Sequence, residues 1–341
     1  MQTIAKGRDT PMVKLKDIAQ ACGVSAATVS RALNGLSDPA SPKAEMIRQT
    51  AQAMGYYPNA AAKALKTNRS NSIGILYENQ MNHEYFSMLL DALRSYAEEK
   101  GYDLTFIGKC NGPDNNYYEY ARRRNLDGVV VIQADFNSAE VIRLAASNLP
   151  TVVIDHEYEG CDCVLSDNSH SLEQIVSNVY AHGHRRIAMI RGEEGTVTRS
   201  RTAGFYKACA ELGLKVPSEY VQQGHFHEPT ECIRIIDKLM ALAEPPTCIL
   251  FPDDYSCLGS LNTLESMGIS IPESVSVIGY DGISMTQMMR PRLTTYSQDT
   301  KAIGKETIAL LTEAIEDPDH HMPRHVLVSG MMVPGETLKT L

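Results

Sequence analysis

The sequence predicts an α + α/β protein in which a small three-helix head precedes a larger two-lobed α/β core. Three observations predict this fold class. Residues 1–70 carry ten Lys/Arg against four Asp/Glu, a net charge of +6, whereas the remaining 271 residues carry 22 against 37, a net charge of −15. Residues 14–54 fit three short amphipathic helices. From residue 72 onward, buried-strand and helix patterns alternate, which is typical of parallel doubly wound sheets.

The composition excludes several classes of protein. The chain has 341 residues, of which 43% are hydrophobic and 21% charged, and this is a globular rather than a disordered profile. No stretch approaches the ~18 consecutive apolar residues of a membrane helix, and residues 1–13 contain no apolar run long enough for a secretory signal. We therefore expect a cytoplasmic protein without a membrane partner.

The eight cysteines give no metal-binding signature. None belongs to a CxxC pair, and Cys161 and Cys163 are too closely spaced and too isolated for the usual zinc motifs. Cys209, Cys248 and Cys257 lie among apolar residues and should pack as small hydrophobic side chains. We expect free thiols, no metal and no cofactor.

The head contains a helix-turn-helix pattern. Apolar residues recur at helical spacing before Gly23, which tolerates the left-handed conformation of a helix end. Ser25 is placed to cap a second helix, and Pro42 is placed at the first position of a third. A small and polar outward face on the second helix suits entry into a DNA major groove. That face carries Ala26, Ala27, Thr28, Ser30, Arg31 and Asn34.

A short helix is predicted after the head. Asn59 is a suitable cap, and the alanines that follow favour a helix over about two turns. Because isolated helices of this length are marginal in water, we expect this one to fold only when another surface supports it. The alternative for the whole segment is an ordinary helical bundle that does not bind DNA.

The run VKLKDIAQACGVSAATVSRALNG, followed by GYYPNAAAKAL, resembles the DNA-binding head and hinge helix of the lactose-repressor (LacI/GalR) family. The resemblance implies a homodimer on double-stranded operator DNA, with Leu65 wedged into the minor groove. It implies base contacts from Ala26, Ala27 and Arg31, backbone or cap contacts from Thr28, Ser30 and Asn34, and hinge contacts from Asn59 and Lys63. The departures from the family pattern include Lys14, where Thr is usual, Lys63, where Arg or Gln is usual, and Asp253 in the core, where Asn is usual.

The body of the chain alternates strand and helix patterns. Strands are predicted at residues 72–77 and 101–107, and strands buried on both faces at residues 128–132, 151–154, 187–190, 248–251 and 275–278. Helices are predicted at residues 85–99, 170–182, 202–212, 230–243, 256–267 and 301–315. Some 270 residues exceed a comfortable single core, so we expect two lobes.

Polar residues follow many of these strands, and ligands bind doubly wound sheets at the carboxyl ends of strands. Several such residues together favour a cleft, although an aspartate in this position also commonly caps the next helix. The positions are residues 78–85 after the first strand, followed by Gln133, Asp155, His156, Arg191, Phe226, Asp253, Asp254 and Asp281.

The segments AHGHRRIAMIRG, SRTAGF, CILFPDDYSCLGS and SVSVIGYDGISM match the core of the same family in order. The resemblance implies a periplasmic-binding-protein-like core at 72–341, after a head at 1–58 and a hinge at 59–71. It implies crossings between lobes near Ser166, Gln298 and residue 326, so that lobe 1 spans about 72–165 and 298–326, and lobe 2 about 166–297 and 327–341. The implied effector contacts are Tyr85, Asp155, Arg201, Phe226, Asp254, Asp281 and Gln298.

These observations predict a transcriptional regulator, most simply a repressor, that is controlled by a small-molecule effector. Carboxylates opposite an arginine suit a sugar or sugar derivative, and a purine-like base is the alternative. A solute-binding protein shares the core but should carry a signal sequence and no basic head. An enzyme is disfavoured because the chain has no GxSxG, GxxxxGK[ST] or HExxH motif. Whether the effector releases or recruits the regulator stays open.

Overall fold

The computed structural model describes residues 13–33, 38, 41–57, 69–78, 83–108 and 116–341. The chain divides into two compact units, Met1–Ser70 and Asn71–Leu341. Within the described ranges, no helix combines the length and apolarity required to cross a membrane. We call the first unit the head and the second unit the core.

The head consists of α1 (Leu15–Cys22), α2 (Ala26–Leu33) and α3 (Pro42–Ala53). Ile18, Val29 and Ile47 are completely buried at the centre of the three helices. Each helix is too short to be stable alone, so this shared apolar core holds the head together. Truncating such an isoleucine to alanine typically costs about 2–5 kcal/mol.

The ends of the head helices confirm two sequence predictions. They also show how α1 begins at Lys14, where Thr is usual in the family that the sequence resembles. Gly23 ends α1 in the left-handed conformation with φ 62°, and the Ser25 hydroxyl accepts the Thr28 backbone N–H at 3.1 Å at the start of α2. Lys14 cannot accept a capping hydrogen bond. Its backbone N–H instead donates to the Asp17 carboxylate at 2.7 Å, so Asp17 supplies one half of the cap from inside the helix.

The core begins with a six-stranded parallel sheet, which we call sheet 1. Its strands are β1 (Ser72–Leu76), β2 (Asp103–Ile107), β3 (Gly128–Val131), β4 (Thr151–Ile154), β5 (Asp162–Ser166) and β11 (His325–Val328), in the spatial order β11-β5-β4-β3-β1-β2. The helices packed on it are α4 (Glu84–Glu99), α5 (Tyr117–Arg123), α6 (Ala139–Ala145) and α12 (Thr300–Glu316). One face is covered by α4 and α12 and the other by α5 and α6, so the central strands are buried throughout.

A second six-stranded sheet, sheet 2, repeats this plan. Its strands are β6 (Ile187–Arg191), β7 (Val221–Gln223), β8 (Cys248–Leu250), β9 (Ser276–Asp281), β10 (Thr295–Ser297) and β12 (Met331–Val333), in the order β12-β10-β9-β8-β6-β7. Only β12 runs antiparallel to its neighbour in this sheet. The helices are α7 (Asn168–Ala181), α8 (Thr196–Glu211), α9 (Pro229–Met240), α10 (Asp254–Ser266) and the short α11 (Met285–Met288).

The chain passes three times between the two sheets and their helices, which we call lobe 1 and lobe 2. The first passage follows Ser166 and the second follows Ser297, both close to the positions that the sequence implied. The third lies at residues 329–330, between β11 and β12, a little beyond residue 326. Each lobe is therefore built from discontinuous segments, and the three passages lie at the base of the cleft between the lobes.

Candidate DNA-binding face and effector cleft

The outward face of α2 is the candidate DNA-binding face. Val29 and Ala32 point into the head core, and this leaves Ala27 and Arg31 exposed one turn apart on the opposite side. Arginine in such a position can donate to guanine, while alanine can contact a thymine methyl group. The helix therefore has two groups placed for reading bases.

The other predicted DNA contacts divide into two groups. Ala26 packs partly against the head core, Ser30 is half-buried, and the Thr28 hydroxyl lies 2.9 Å from that of Ser25, consistent with roles near the helix start. The remaining predicted residues lie outside the described part of the chain: Asn34, Asn59, Lys63 and Leu65.

The effector cleft lies between the carboxyl ends of the two sheets. Lobe 1 contributes Tyr85 from the first turn of α4 and Asp155 directly after β4. Lobe 2 contributes Arg201 from the middle of α8 and Asp281 at the end of β9. These four residues influence one another electrostatically, since the other three all perturb the pKa of Tyr85. The structure therefore brings together residues that are far apart in sequence.

Arg201 is the cation of the cleft and is held rigidly. It is 7% exposed, its Nε donates to the Asn168 side-chain oxygen at 2.8 Å, and one terminal nitrogen donates to the Pro252 carbonyl at 2.9 Å. Its guanidinium carbon lies 3.5 Å from the centre of the Tyr280 ring. This cation–π stacking and the two hydrogen bonds orient the charge before any ligand arrives.

The Tyr85 hydroxyl is buried without a hydrogen-bond partner among the described residues. Burial, reinforced by the carboxylates of Asp155 and Asp281, raises its pKa well above the usual value, so it remains a neutral donor. The Thr198 hydroxyl on α8 is buried without such a partner as well. A buried polar group left unpaired costs roughly 1–3 kcal/mol, which a ligand hydrogen bond would offset.

Both cleft carboxyl groups have raised pKa values. Burial raises the pKa of Asp155 to about 6, against the opposing effects of the Arg201 charge and a hydrogen bond from the Ser166 backbone. Burial and the nearby carboxylates of Asp254 and Asp253 raise the pKa of Asp281 well above its usual range. Such groups can accept from hydroxyls when ionised and donate when protonated.

Gln298 connects the two lobes at the base of the cleft. Its amide nitrogen donates to Asp281 Oδ1 at 2.7 Å, and its amide oxygen accepts from the Ser166 hydroxyl. Ser166 ends β5 in lobe 1, whereas Asp281 ends β9 in lobe 2. This chain of hydrogen bonds links the carboxyl ends of both sheets beside two of the three passages.

Aromatic rings line the mouth of the cleft. Phe226 lies directly over Gly192, where a Cβ atom would come within 2.2 Å of the ring, and its ring centre is 5.6 Å from the Arg201 guanidinium carbon. His83 of lobe 1 stacks on His227 of lobe 2 with ring centres 4.0 Å apart. Burial and the neighbouring His227 lower the pKa of His83 to about 4, so the stacked ring is neutral near pH 7.

Asp254 is placed differently from the prediction of an effector contact. It is fully buried inside lobe 2, where its carboxylate accepts from the Thr295 hydroxyl at 2.6 Å and from the backbone N–H groups of Gly282 and Ile283 at 2.7 and 3.0 Å. These donors favour a role in holding the turn after Asp281. Its neighbour Asp253 caps α10 by accepting from the Ser256 N–H at 2.7 Å.

Contacts between the lobes span the cleft in this structure. A small cavity inside lobe 2, beside Arg201, Phe226 and Tyr280, has a volume of about 10 Å³, which is room for roughly one water molecule. At the rim, the Ser284 backbone N–H donates to the Glu84 carboxylate at 2.8 Å across the lobes. The contacts His83–His227 and Glu84–Ser284 must therefore separate before a larger molecule can enter between the lobes.

Two residues of this site, Asn168 and Tyr280, which brace Arg201, were not predicted from the sequence. His83 and Glu84 lie within residues 78–85, which their position after the first strand of a doubly wound sheet had marked as informative. Their contacts with lobe 2 were not predicted. The contact between Glu84 and Ser284 joins segments 200 residues apart and has no local sequence signal.

Two protein-family models match the chain. Residues 14–59 match the family model described as bacterial regulatory proteins, lacI family, and residues 176–338 match the periplasmic binding protein-like domain. The chain is 30% identical to the HTH-type transcriptional repressor PurR of Pasteurella multocida over 90% of its own length and 93% of that protein. The chain belongs to the LacI family.

Other members support the same assignment. PurR of Vibrio cholerae is 30% identical over 97% of this LacI-family chain and 99% of its own length. The lac repressor dimer bound to operator and the anti-inducer ONPF has a TM-score of 0.82 at 21% identity, with 96% of this chain and 99% of that chain covered. The transcriptional regulator CelR–cellobiose complex has a TM-score of 0.70 at 22% identity, with coverages of 95% and 99%.

These findings confirm the predicted fold class and the general function. The chain has the LacI-type helix-turn-helix head and a periplasmic-binding-protein-like core with two six-stranded sheets. It is a DNA-binding transcriptional repressor of the LacI family and not an enzyme.

Proposed function

We propose that this repressor acts in the cytoplasm as a homodimer, and that a small molecule bound between its lobes sets its affinity for operator DNA. The observation that carries the proposal is the convergence of Tyr85, Asp155, Arg201 and Asp281 at the carboxyl ends of both sheets. A braced arginine, two buried carboxyl groups and an unpaired hydroxyl form a binding site rather than a packed core.

The head supplies the DNA-binding half of this function. In the proposal, Ala27 and Arg31 contact bases, and the surplus of basic residues in 1–70 binds phosphates. The two positions of α2 are exposed, as base contacts require. The supporting contacts that we propose from the family resemblance are Ala26, Thr28, Ser30, Asn34, Asn59, Lys63 and Leu65.

A sugar or sugar derivative is the effector that we propose first. Asp155 and Asp281 would accept hydrogen bonds from hydroxyl groups, Arg201 would donate to them, and the Phe226 ring would cover the apolar face of the sugar. Gln298 and Tyr85 would complete the set. Structural neighbours solved with cellobiose and with ribose support this chemistry.

A purine-like base acting as corepressor is the second candidate. The stacked rings of His83 and His227 at the mouth of the cleft suit a planar heteroaromatic ligand better than a sugar. The 30%-identical relatives named PurR support this class as well. In this candidate, the two carboxyl groups would bind ring nitrogens rather than hydroxyl groups.

The proposed coupling between effector and DNA depends on the three passages between lobes. An effector that binds the closed and open cleft with different affinities shifts the balance between them, and typical coupling free energies are about 1–3 kcal/mol. In the homodimer, lobe movement would change the spacing of two heads. The hinge segment, residues 59–71, would transmit this change because short helices fold only with support.

The dimer contact that we propose involves β2 and α4. Phe106 is 46% exposed on β2, the edge strand of sheet 1, and it borders a groove with Leu90, Tyr102 and Leu104. An open edge strand with an exposed aromatic ring is a surface that proteins normally cover. The dimeric lac repressor in the operator complex supports a dimer of this chain.

The proposal is tested by thermal denaturation against a panel of monosaccharides, disaccharides and nucleobases, because a specific ligand stabilises the folded protein. An operator sequence is selected from a random duplex library, and its affinity is then measured by fluorescence anisotropy with and without each stabilising compound. Arg201→Ala should retain operator binding but lose the effector response. An unaltered effector response in this variant would refute the cleft assignment.

Arg185→Ala is the matched control. Arg185 is also an arginine of lobe 2 stacked on a tyrosine, with its guanidinium carbon 3.6 Å from the Tyr180 ring centre, but it is exposed and does not belong to the cleft set. This variant should keep both operator binding and the effector response. Equal loss of response in both variants would show that lobe 2 stability, rather than ligand contact, causes the effect.

A further inference from the structure

Three potential metal ligands meet near the amino ends of β5 and β11, away from the effector cleft. Cys163 on β5 is paired in register with His325 on the edge strand β11, so both side chains project from the same face of sheet 1. Glu157 lies in the connection between β4 and β5. One ligand atom from each of the three residues lies within 4.8 Å of the other two.

The distance between His325 and Glu157 is close to that of two ligands in a tetrahedral metal centre. His325 Nδ1 and Glu157 Oε1 are 3.6 Å apart. Two ligand atoms at normal zinc bond lengths in a tetrahedron are about 3.4–3.6 Å apart. The side chains of His325 and Glu157 are 47% and 49% exposed, so both can rotate toward an ion, whereas Cys163 is buried.

Cys163 can contribute a sulfur ligand to this cluster. On metal binding, a metal–sulfur bond replaces the S–H bond and the proton passes to the solvent. Thiolate and imidazole ligands select zinc-like transition metals over Mg²⁺ or Ca²⁺.

We propose that Glu157, Cys163 and His325 bind one divalent transition-metal ion of the Zn²⁺ class and leave the fourth tetrahedral position to solvent. Since the edge strand β11 leads directly into the third passage between lobes, the ion ties this strand to β5 and to the β4–β5 connection. The ligands come from three separate segments. Local spacing in the sequence, which gave no zinc motif around Cys161 and Cys163, therefore cannot reveal the site.

The test is a titration of chelator-treated full-length protein with Co²⁺ alone, followed by absorption spectroscopy. We expect a thiolate-to-cobalt charge-transfer band that saturates at one equivalent and disappears on addition of Zn²⁺. Cys163→Ser should abolish the band. Cys161→Ser should retain it, because the Cys161 thiol donates to the carbonyls of Thr151 and Asp162 instead. No band in the unmodified protein, or a band that persists in Cys163→Ser, would overturn the proposal.

His325→Ala provides a second variant that does not alter a buried residue. Loss of a residue that hydrogen-bonds to a metal ligand typically weakens metal binding about 10- to 100-fold. Loss of the ligand His325 itself should therefore weaken Co²⁺ binding at least about tenfold. Thermal melting without metal establishes that the variant folds. A folded His325→Ala protein with unchanged Co²⁺ affinity would also contradict the proposed site, whether or not Cys163→Ser abolishes the band.

Discussion

Replacing Tyr85 by phenylalanine should stabilise the protein in the absence of effector. The hydroxyl of Tyr85 is buried without a hydrogen-bond partner among the described residues, and an unpaired buried polar group costs roughly 1–3 kcal/mol. The ring itself is 7% exposed and keeps its packing in phenylalanine. We therefore expect Tyr85→Phe to raise the free energy of unfolding by about 1 kcal/mol, at the low end of this range.

Thermal and denaturant unfolding measure this effect. For a core of this size, about 1 kcal/mol corresponds to an increase in melting temperature of roughly 2 °C. The same variant should weaken effector binding about threefold to tenfold, because a neutral hydrogen bond contributes roughly 0.5–1.5 kcal/mol. Stability and affinity should thus change in opposite directions, which a general packing defect would not produce.

Tyr117→Phe is the matched control. Tyr117 is equally buried in lobe 1, but its hydroxyl donates to the Glu78 carboxylate. Removal of this hydroxyl should destabilise the protein, since a hydrogen bond to a charged group contributes about 1.5–3 kcal/mol. If Tyr85→Phe destabilises the protein as much as Tyr117→Phe does, the Tyr85 hydroxyl has a protein partner and the reasoning is refuted.

Three further predictions concern other parts of the molecule. Arg31→Ala should abolish specific operator binding in fluorescence anisotropy while weakening binding to random duplex DNA only slightly; equal losses on both would contradict base reading by Arg31. Gly192→Ala should displace the Phe226 ring and weaken effector binding in calorimetry, with operator affinity unchanged; an unaltered effector affinity would exclude Phe226 from the site. Burial raises the pKa of Asp254 to about 7, so the folded protein binds this proton more tightly than the unfolded chain does. The stabilisation that this proton provides is therefore lost as the pH rises from about 4 to 7. Asp254→Asn should reduce the fall in the free energy of unfolding between pH 5 and 7.5, as measured by denaturant unfolding. An unchanged slope would show that Asp254 does not cause this fall.

The sequence predicted the regular elements well where apolar residues repeat. The helix predicted at 170–182 is Asn168–Ala181, and the one predicted at 301–315 is Thr300–Glu316. Helix α8 begins at Thr196 rather than at 202, because the buried residues of its first turns, Thr198 and Arg201, are polar and so carry no apolar period. Strand β5 was missed because Asp162 and Cys163 do not form an aliphatic run.

The effector cleft was predictable in part for a similar reason. Residues that directly follow strands, such as Asp155 and Asp281, are identified by position because the carboxyl ends of parallel strands share one edge. The same rule misplaced Asp254, since position after a strand does not determine whether a carboxylate faces the cleft or the interior. Contacts such as that between His83 and His227 depend on how the lobes meet, which no local pattern encodes.

The contact between Glu84 and Ser284 has a consequence for how this repressor responds to its signal. The backbone N–H and the hydroxyl of Ser284 both donate to the Glu84 carboxylate on the opposite lobe. These hydrogen bonds stabilise the closed form even when no ligand is bound. In the proposed function, the effector acts on a balance that exists before it binds, and its influence is limited to the difference between its affinities for the closed and open forms. Glu84→Gln would weaken this contact and so change the effector concentration at which the regulator responds. It would alter no group that we assign to the ligand or to DNA.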